Sequence, residues 1–530
     1  MVLVPFRDRK AESVSAWDKM NSDLPIETST AASFRTWVGF SMMCLGMFMA
    51  ILDIQVVATS LPTIQGALNM APDEMSWIQT AYLIAEIISI PLTGFLIRAA
   101  TMRWLFTVAT VVFILASIGC ALSPTFKVLI AFRVLQGFTG GTLIPTVFSA
   151  VFLLFPTRLQ TVAATIAGVL AVLAPTIGPI VGGWITDAYS WPWLFLINVP
   201  AGVIAASVGF LSLPKHKPSL DQFRRLDLAS FALGAAALVA LEIAIKDAPK
   251  QGWTSPITVA LIALFLISAT LFVFRTRRSE NPLVDLGSFA RRNFSIGCLL
   301  SFVLGMGLYG SVYLIPIFLA YARSHNAFDI GTTMLVTGLS QLVFAPVAAG
   351  LTRRVDERLL TGLGFAVFGV GLALSAYQTT TTDFDQMLWP QVVRGAAIMF
   401  CLLPPTEFAL GGLAPEAIPD ASGLFNLMRN LGGAIGIAII DTIIFTRSPQ
   451  YAQTLVSELT SGNLDAARSI GASMDLLSAA LVDPDKRAIV ASLVQKSAFV
   501  EATNDAWAFV AAVTLIATVS IPLVRRQSKS

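Results

Sequence analysis

Eight ionisable side chains fall inside long apolar runs of this sequence: Asp53, Glu86, Arg133, Glu242, Arg394, Glu407, Arg429 and Asp441. A charge at the bilayer centre costs at least ~2.5 kcal/mol if unpaired, so most of these residues should face a bundle interior and mark the path of a proton or a cargo. Asp53, Glu86, Arg133 and Asp441 sit deep and are the candidates for coupling to protons, as carboxylates that can be neutralised and a guanidinium that cannot. Arg394, Glu407, Arg429 and the amide of Gln136 are candidates for a substrate cavity or its gates, and pairing for folding is an equal reading for Glu407 and Arg429. Glu242, one turn from Lys246 near the end of its run, reads as snorkelling toward the interface.

Depth brings two of these groups together. Asp53 lies sixteen residues past Trp37, about 24 Å from one face, and Arg133 seven past Phe126, about 10 Å from the other. The distances sum to one crossing, so the two can meet, and Glu86, nine residues inside Trp77 at about 13 Å, is at a depth to join them. The arginine favours the ionised acid and removal from water favours the neutral one, so a small rearrangement can load or release a proton. The alternative is a static ion pair that only fixes packing.

No catalytic constellation accompanies them. Cys44, Cys120, Cys298 and Cys401 lie in apolar runs without metal-ligand spacing, and His216 and His325 lie in expected loops far from any cysteine pair. The GMGLYG at 305–310 has the spacing of a dinucleotide loop but no strand before it, and reads as helix packing. An enzyme, a cofactor and a metal site are therefore not expected.

Membrane helices must position these groups. With 55% hydrophobic and 13% charged residues over 530 positions, and a mean hydropathy of +0.74, the chain is too apolar for a soluble multidomain protein. A net charge of +3 carried in short loops argues orientation, not nucleic-acid binding. Crossing runs are expected near 37–61, 77–97, 104–123, 126–150, 160–183 and 194–213, then 227–246 and 255–274, then 294–320, 330–351, 359–377, 387–412, 423–445 and 506–524. Six, two and six make fourteen. The expected organisation is a tail at 1–36, a six-helix half at 37–214, basic linkers and two inserted helices at 215–293, a second half at 294–524 containing a long loop at 447–505, and a tail at 525–530.

Lys and Arg concentrate in the N-terminal tail and at 215–225 and 275–292, whereas the short loops of the other side hold only Lys127, Lys246, Lys250 and Arg323. Both termini are therefore expected in the cytoplasm, with 447–505 outside. Trp37, Trp77, Trp104, Trp184, Trp253, Trp389 and Trp507 fall at expected span ends, as interfacial anchors. The loop at 447–505 contains helical runs capped by residues such as Asp485 and interrupted at Gly462 and Pro484, and reads either as a disordered or self-packed loop or as a docking surface.

One run is unlike the rest. In GVLAVLAPTIGPIVGG, 168–183, Gly168, Ala171, Pro175, Gly178 and Gly182 recur at three- and four-residue steps and form a small-residue stripe that a neighbouring helix can approach closely. Pro175 and Pro179 each remove a helical hydrogen bond, so the run is expected to be bent and buried in the bundle.

These residues also carry a resemblance. APTIGPIVGG, 174–183, with Gly182 and Gly183 at its end, resembles the fifth-helix antiporter motif of major facilitator exporters. LDIQVVATSLP at 52–62, Leu129 with Arg133, Gln136 and Gly137, WLFLINVPAG at 193–202 and NFSIG at 293–297 are similar to further motifs of the family. Together with the six-two-six plan they resemble the fourteen-helix EmrB/QacA-type drug:proton antiporters of the major facilitator superfamily. The segment GFLIRAATMR at 94–103 departs from the general superfamily motif, lacking its acid and second glycine; EmrB-like members lack the acid too. The resemblance implies an all-α major facilitator fold and a proton-coupled exporter of amphipathic drugs in a bacterial inner membrane, energised by the proton gradient. It also implies a periplasmic adaptor and an outer-membrane channel as partners. A narrower exporter or importer of one metabolite, such as a siderophore or fatty acid, is the alternative.

Overall fold

A computed structural model describes residues 33–525, apart from 72–73, 217, 219–226, 280–285, 353, 412, 414–417 and 481–482. Residues 1–32 and 526–530 of the expected tails and most of the basic linker at 215–225 lie outside the described residues, and the end of the first tail, from Phe34, already belongs to the first helix. Every long element described is a helix. The first crossings are α1 (Phe34–Ala58), a short α2 (Leu61–Ala67), α3 (Trp77–Ser89), α4 (Leu92–Ala121), α5 (Phe126–Leu154), α6 (Thr157–Ala188), and the pair α7 (Trp193–Leu196) and α8 (Asn198–Ser212). The inserted helices are α9 (Leu228–Gln251) and α10 (Pro256–Arg278). A second set follows: α11 (Arg292–Arg323), α12 (Ala327–Thr352), α13 (Glu357–Leu374), α14 (Phe384–Leu410), α15 (Ile418–Thr460) and α18 (Pro484–Ala517), with α16 (Leu464–Ser469) and α17 (Met474–Ala480) between the last two.

Among the described residues, 13 helices are long and apolar enough to cross a membrane. The remaining expected span, near 77–97, is divided. Pro91 has no N–H to donate and ends α3 at Ser89, yet Ile90 and Pro91 keep right-handed helical angles, so the path runs on into α4. Counting this divided crossing with the 13 restores the expected fourteen. The segment at 94–103 is not an open loop: it is helical except at Thr101, whose φ of 72° makes the break between the second and third crossings.

Within the first set α1 packs on α5, α6 and α8, and α5 on α3 and α4; within the second, α11 packs on α14, α15 and α18, and α13 on α14 and α18. The sets meet where α6 lies along α12 and α3 along α15. The inserted α9 packs on α10 but also on α15 and α3, so it covers the seam between the sets.

The long expected loop is built from the membrane helices themselves. At 43 residues α15 spans roughly 65 Å, about twice a hydrocarbon core, and α18 has 34 residues. Their extensions and α16 form a helical hairpin whose own small core joins Ala452, Ile470, Ala472, Val494 and Ala498. The chain turns at Gly462 with φ +81°, as its glycine predicts. The cap, however, is Asp483 rather than Asp485, and Pro484 begins α18 instead of breaking it, since a first-turn position needs no N–H. Trp507 therefore lies mid-helix and is fully buried, not an interfacial anchor, whereas Trp104, Trp184, Trp253 and Trp389 are exposed. All four cysteines are free and buried.

Candidate functional site

Close helix contact builds the site. A Cβ on Gly137 would sit 2.3 Å from the Tyr82 carbonyl oxygen, and one on Gly141 2.7 Å from that of Glu86, so only glycine lets α5 touch α3 here. That contact sets Arg133 beneath the Tyr82 ring at 4.4 Å and lets its Nε donate to the Ile78 carbonyl at 3.0 Å. Arg133 Nη1 then donates to Asp53 Oδ2 at 2.5 Å and to Gln136 Oε1 at 2.7 Å, with both charged side chains wholly buried. The other carboxylate oxygen, Oδ1, accepts from Gln136 Nε2 at 2.9 Å and from Asn198 Nδ2 at 2.7 Å. Ser117 accepts from Gln136 Nε2 at 2.9 Å.

The network thus ties α1, α3, α4, α5 and α8 to one carboxylate. Charge-assisted bonds are the strong ones, and here they are saturated around Asp53. Gln136, expected at a substrate cavity or gate, is instead fully buried as a clamp on Asp53, because its place one turn past Arg133 turns it to the same side. Asn198 and Ser117 were not singled out from the sequence, although Asn198 stands as a lone amide in WLFLINVPAG.

Glu86 does not bond to this network. It is 2% exposed, faces Asn430 with Arg429 in electrostatic reach, and its Oε2 has no hydrogen-bond partner among the described residues. Tyr309 donates to Asn430 at 3.2 Å, and Arg429 Nη2 donates to Asn426 at 2.5 Å. Helix rotation explains the separation: depth allows Glu86 to reach Asp53, but its side of α3 turns toward α15. Asp441, on α15, accepts from Tyr313 at 2.9 Å and from Ser76 at 3.1 Å. Ser76 in turn accepts from Lys246. Lys246 lies 4.4 Å from the Trp77 ring and is 5% exposed, and Glu242, 2% exposed, is within electrostatic reach of Lys246 and Asp441. The snorkelling expected of Glu242 is therefore wrong: α9 presses this face against the seam, and the pair is buried in protein.

The small-residue helix α6 serves two partners, not one. Cβ atoms on Gly178 and Gly182 would lie 2.4 Å from Gln55 Cβ and 2.4 Å from the Val56 carbonyl of α1. Toward α12, one on Gly183 would lie 2.2 Å from the Ala327 carbonyl, and Gly331 and Gly338 approach Pro179 and Thr176 as closely. Gly168 meets nothing within 4 Å, so the stripe stops short of it. The helix is continuous through Pro175 and Pro179. Tyr321 donates to Gln65 at 2.7 Å, and Asp187 accepts from the Phe328 N–H at 3.0 Å, so the two sets are joined at the end of the bundle that carries the hairpin. Arg394 is buried in the second set and borders a cavity there, while Glu407 is exposed on α14.

A model of the Major Facilitator Superfamily matches residues 43–437. Colistin resistance protein EmrB of Acinetobacter baumannii is 36% identical over 428 residues, covering 81% of this chain and 84% of that protein. Multidrug export protein EmrB of Escherichia coli (strain K12) is 31% identical over 426 residues, covering 80% and 83%. A solved bacterial homologue of the human lysosomal transporter Spinster shares the fold, with a TM-score of 0.60 at 13% identity over 94% of this chain and 100% of that one. In its fold, its motifs and these relatives alike, the chain belongs to the major facilitator superfamily, among the EmrB-type transporters.

Proposed function

We propose that this chain is a proton-coupled exporter of small amphipathic toxicants, working by alternating access between its two six-helix sets. The observation that carries the reading is the wholly buried Asp53 carboxylate, on which Arg133, Gln136 and Asn198 converge. A proton on Asp53 would replace the salt bridge by a contact between a neutral acid and a still-charged Arg133, weakening it and changing the packing of the helices the network ties together. The relatives, a colistin resistance protein and a multidrug export protein, support drugs as the cargo class.

The distribution of Lys and Arg supports a bacterial inner-membrane protein with both termini in the cytoplasm and the hairpin in the periplasm. In that orientation the contacts of Thr176, Pro179 and Gly183 with α12 close the outer side, and cargo leaves when they part. The hairpin is then the surface for a periplasmic adaptor that passes cargo to an outer-membrane channel.

Dye accumulation in cells and in proton-loaded vesicles tests the central claim. Asp53→Asn keeps the shape but cannot titrate, and is expected to fold, bind dye and lose proton-driven export. If Asp53→Asn exports against a gradient as well as the parent, and an uncoupler still stops it, Asp53 only fixes packing.

A further inference from the structure

Arg394 takes in the second helix set the place that Arg133 takes in the first. Each stands on the fourth helix of its set, beside an aromatic ring, Trp507 at 5.3 Å for Arg394 and Tyr82 at 4.4 Å for Arg133. Each donates to the second helix, Arg394 Nη2 to Thr337 Oγ1 at 3.1 Å and Arg133 Nε to the Ile78 carbonyl at 3.0 Å. The counter-charge is where they part. Asp53 neutralises Arg133. Arg394 is 1% exposed, yet its Nε and Nη1 have no hydrogen-bond partner among the described residues.

Thr337 sets the polarity of the surroundings. A guanidinium only donates, so the Thr337 oxygen accepts from it and the hydroxyl proton goes to Gln391 Oε1 at 3.0 Å. That fixes the amide with its Nε2 as a donor, and Nε2 has no partner either. Nor does the indole Nε1 of Trp507, which can only donate. Arg394 and Gln391 border a cavity of about 230 Å³, which Ser375, Thr379 and Thr382 also line and where no Asp or Glu is among the described lining residues. Gln378 leaves a bare Oε1 in the same wall, on an amide whose two ends can exchange.

A charged guanidinium and an amide N–H without partners, both on residues bordering a cavity with no acid among its described lining residues, call for an acceptor with a negative charge. We propose that this cavity binds a monovalent anionic group, a carboxylate or a halide, through Arg394 and Gln391. The volume is several times the ~30 Å³ share of one water, enough for a carboxylate with a short stem. A single guanidinium matches one negative charge and would leave a dianion half-neutralised. The site is distinct from the Asp53 network, and binding there does not depend on whether the chain exports.

The test uses purified full-length protein in nanodiscs, without a gradient, in sulfate buffer of constant ionic strength. Sodium acetate, sodium chloride, sodium decanoate and, as a neutral tail of equal length, decanol are titrated by thermal shift and by the fluorescence difference between the parent and Trp507→Phe. At least one anion is expected to bind the parent ten-fold or more tighter than it binds Arg394→Gln or Gln391→Met. Gln391→Met removes the Nε2 donor and the acceptor of the Thr337 hydroxyl but leaves the guanidinium and its bond to Thr337 in place, and decides the matter alone if Arg394→Gln does not fold. Acetate and decanoate binding without chloride identifies a carboxylate site, and chloride binding as well identifies a general monovalent-anion site. If no anion distinguishes the parent from Gln391→Met, and decanoate binds no better than decanol, the cavity is not an anion site.

Discussion

Lys246 donates a hydrogen bond to Ser76 and so ties an inserted helix, outside both six-helix sets, to the start of the second crossing. Ser76 passes the link on to Asp441 across the seam. Removing one member of a buried charged cluster leaves the others uncompensated, at a cost of roughly 3–5 kcal/mol. Lys246→Met is therefore expected to lower the melting temperature and export together, and Asp441→Asn in the same chain to recover part of both. Double-mutant melting curves measure this, and additive losses would mean that the two residues do not communicate.

Two glycines of α6 should respond differently to bulk. Gly178→Leu must displace Gln55, whose Cβ would be 2.4 Å from the new Cβ, whereas nothing lies within 4 Å at Gly168. Overpacking costs about 1–3 kcal/mol, so Gly178→Leu should insert but export poorly, while Gly168→Leu should behave as the parent. Equal efflux by the two variants would show that the approach of α1 to α6 is unimportant to transport.

The hairpin can be shortened to separate docking from transport. Replacing 464–480 by a short linker strips Ile470 and Ala472 from the small core around Val494 and Ala498 but leaves the main core intact. Proton-linked transport in vesicles is expected to persist, and co-purification with a periplasmic adaptor to be lost. An adaptor that still co-purifies in full argues against docking at this segment.

Asp383 offers a test in the connection before α14. Against the opposing effect of burial, the Arg323 guanidinium, the Phe384 N–H and His325 hold its carboxyl below the ordinary value. A depressed acid stabilises the fold above its unfolded value, near 3.9, and that contribution is lost as pH falls through the folded value. Asp383 also caps α14, a role that Asn keeps, so Asp383→Asn removes only the ion pair with Arg323 and should cost up to about 1 kcal/mol at pH 7, with the gap to the parent narrowing below about pH 4. Melting temperatures at pH 7, 5 and 3.5 check it; a gap that widens on acidification would refute the assignment.

Some of this was legible along the chain and some was not. The order of the crossings, the tightly packed α6 and the meeting of Asp53 with Arg133 follow from apolar length, small-residue spacing and depth, which are properties of single helices. The helical hairpin was partly legible, because its caps and glycine turn are local, but not its continuity with α15 and α18. Which partner each charge takes was decided only in three dimensions. Glu86 turns to Asn430, Lys246 reaches Ser76, Gln136 clamps Asp53 and Arg394 meets no acid among the described residues of its cavity wall. Depth along a helix is written in residue number, whereas the direction a side chain points depends on how each helix is rotated and crossed against neighbours distant in the chain.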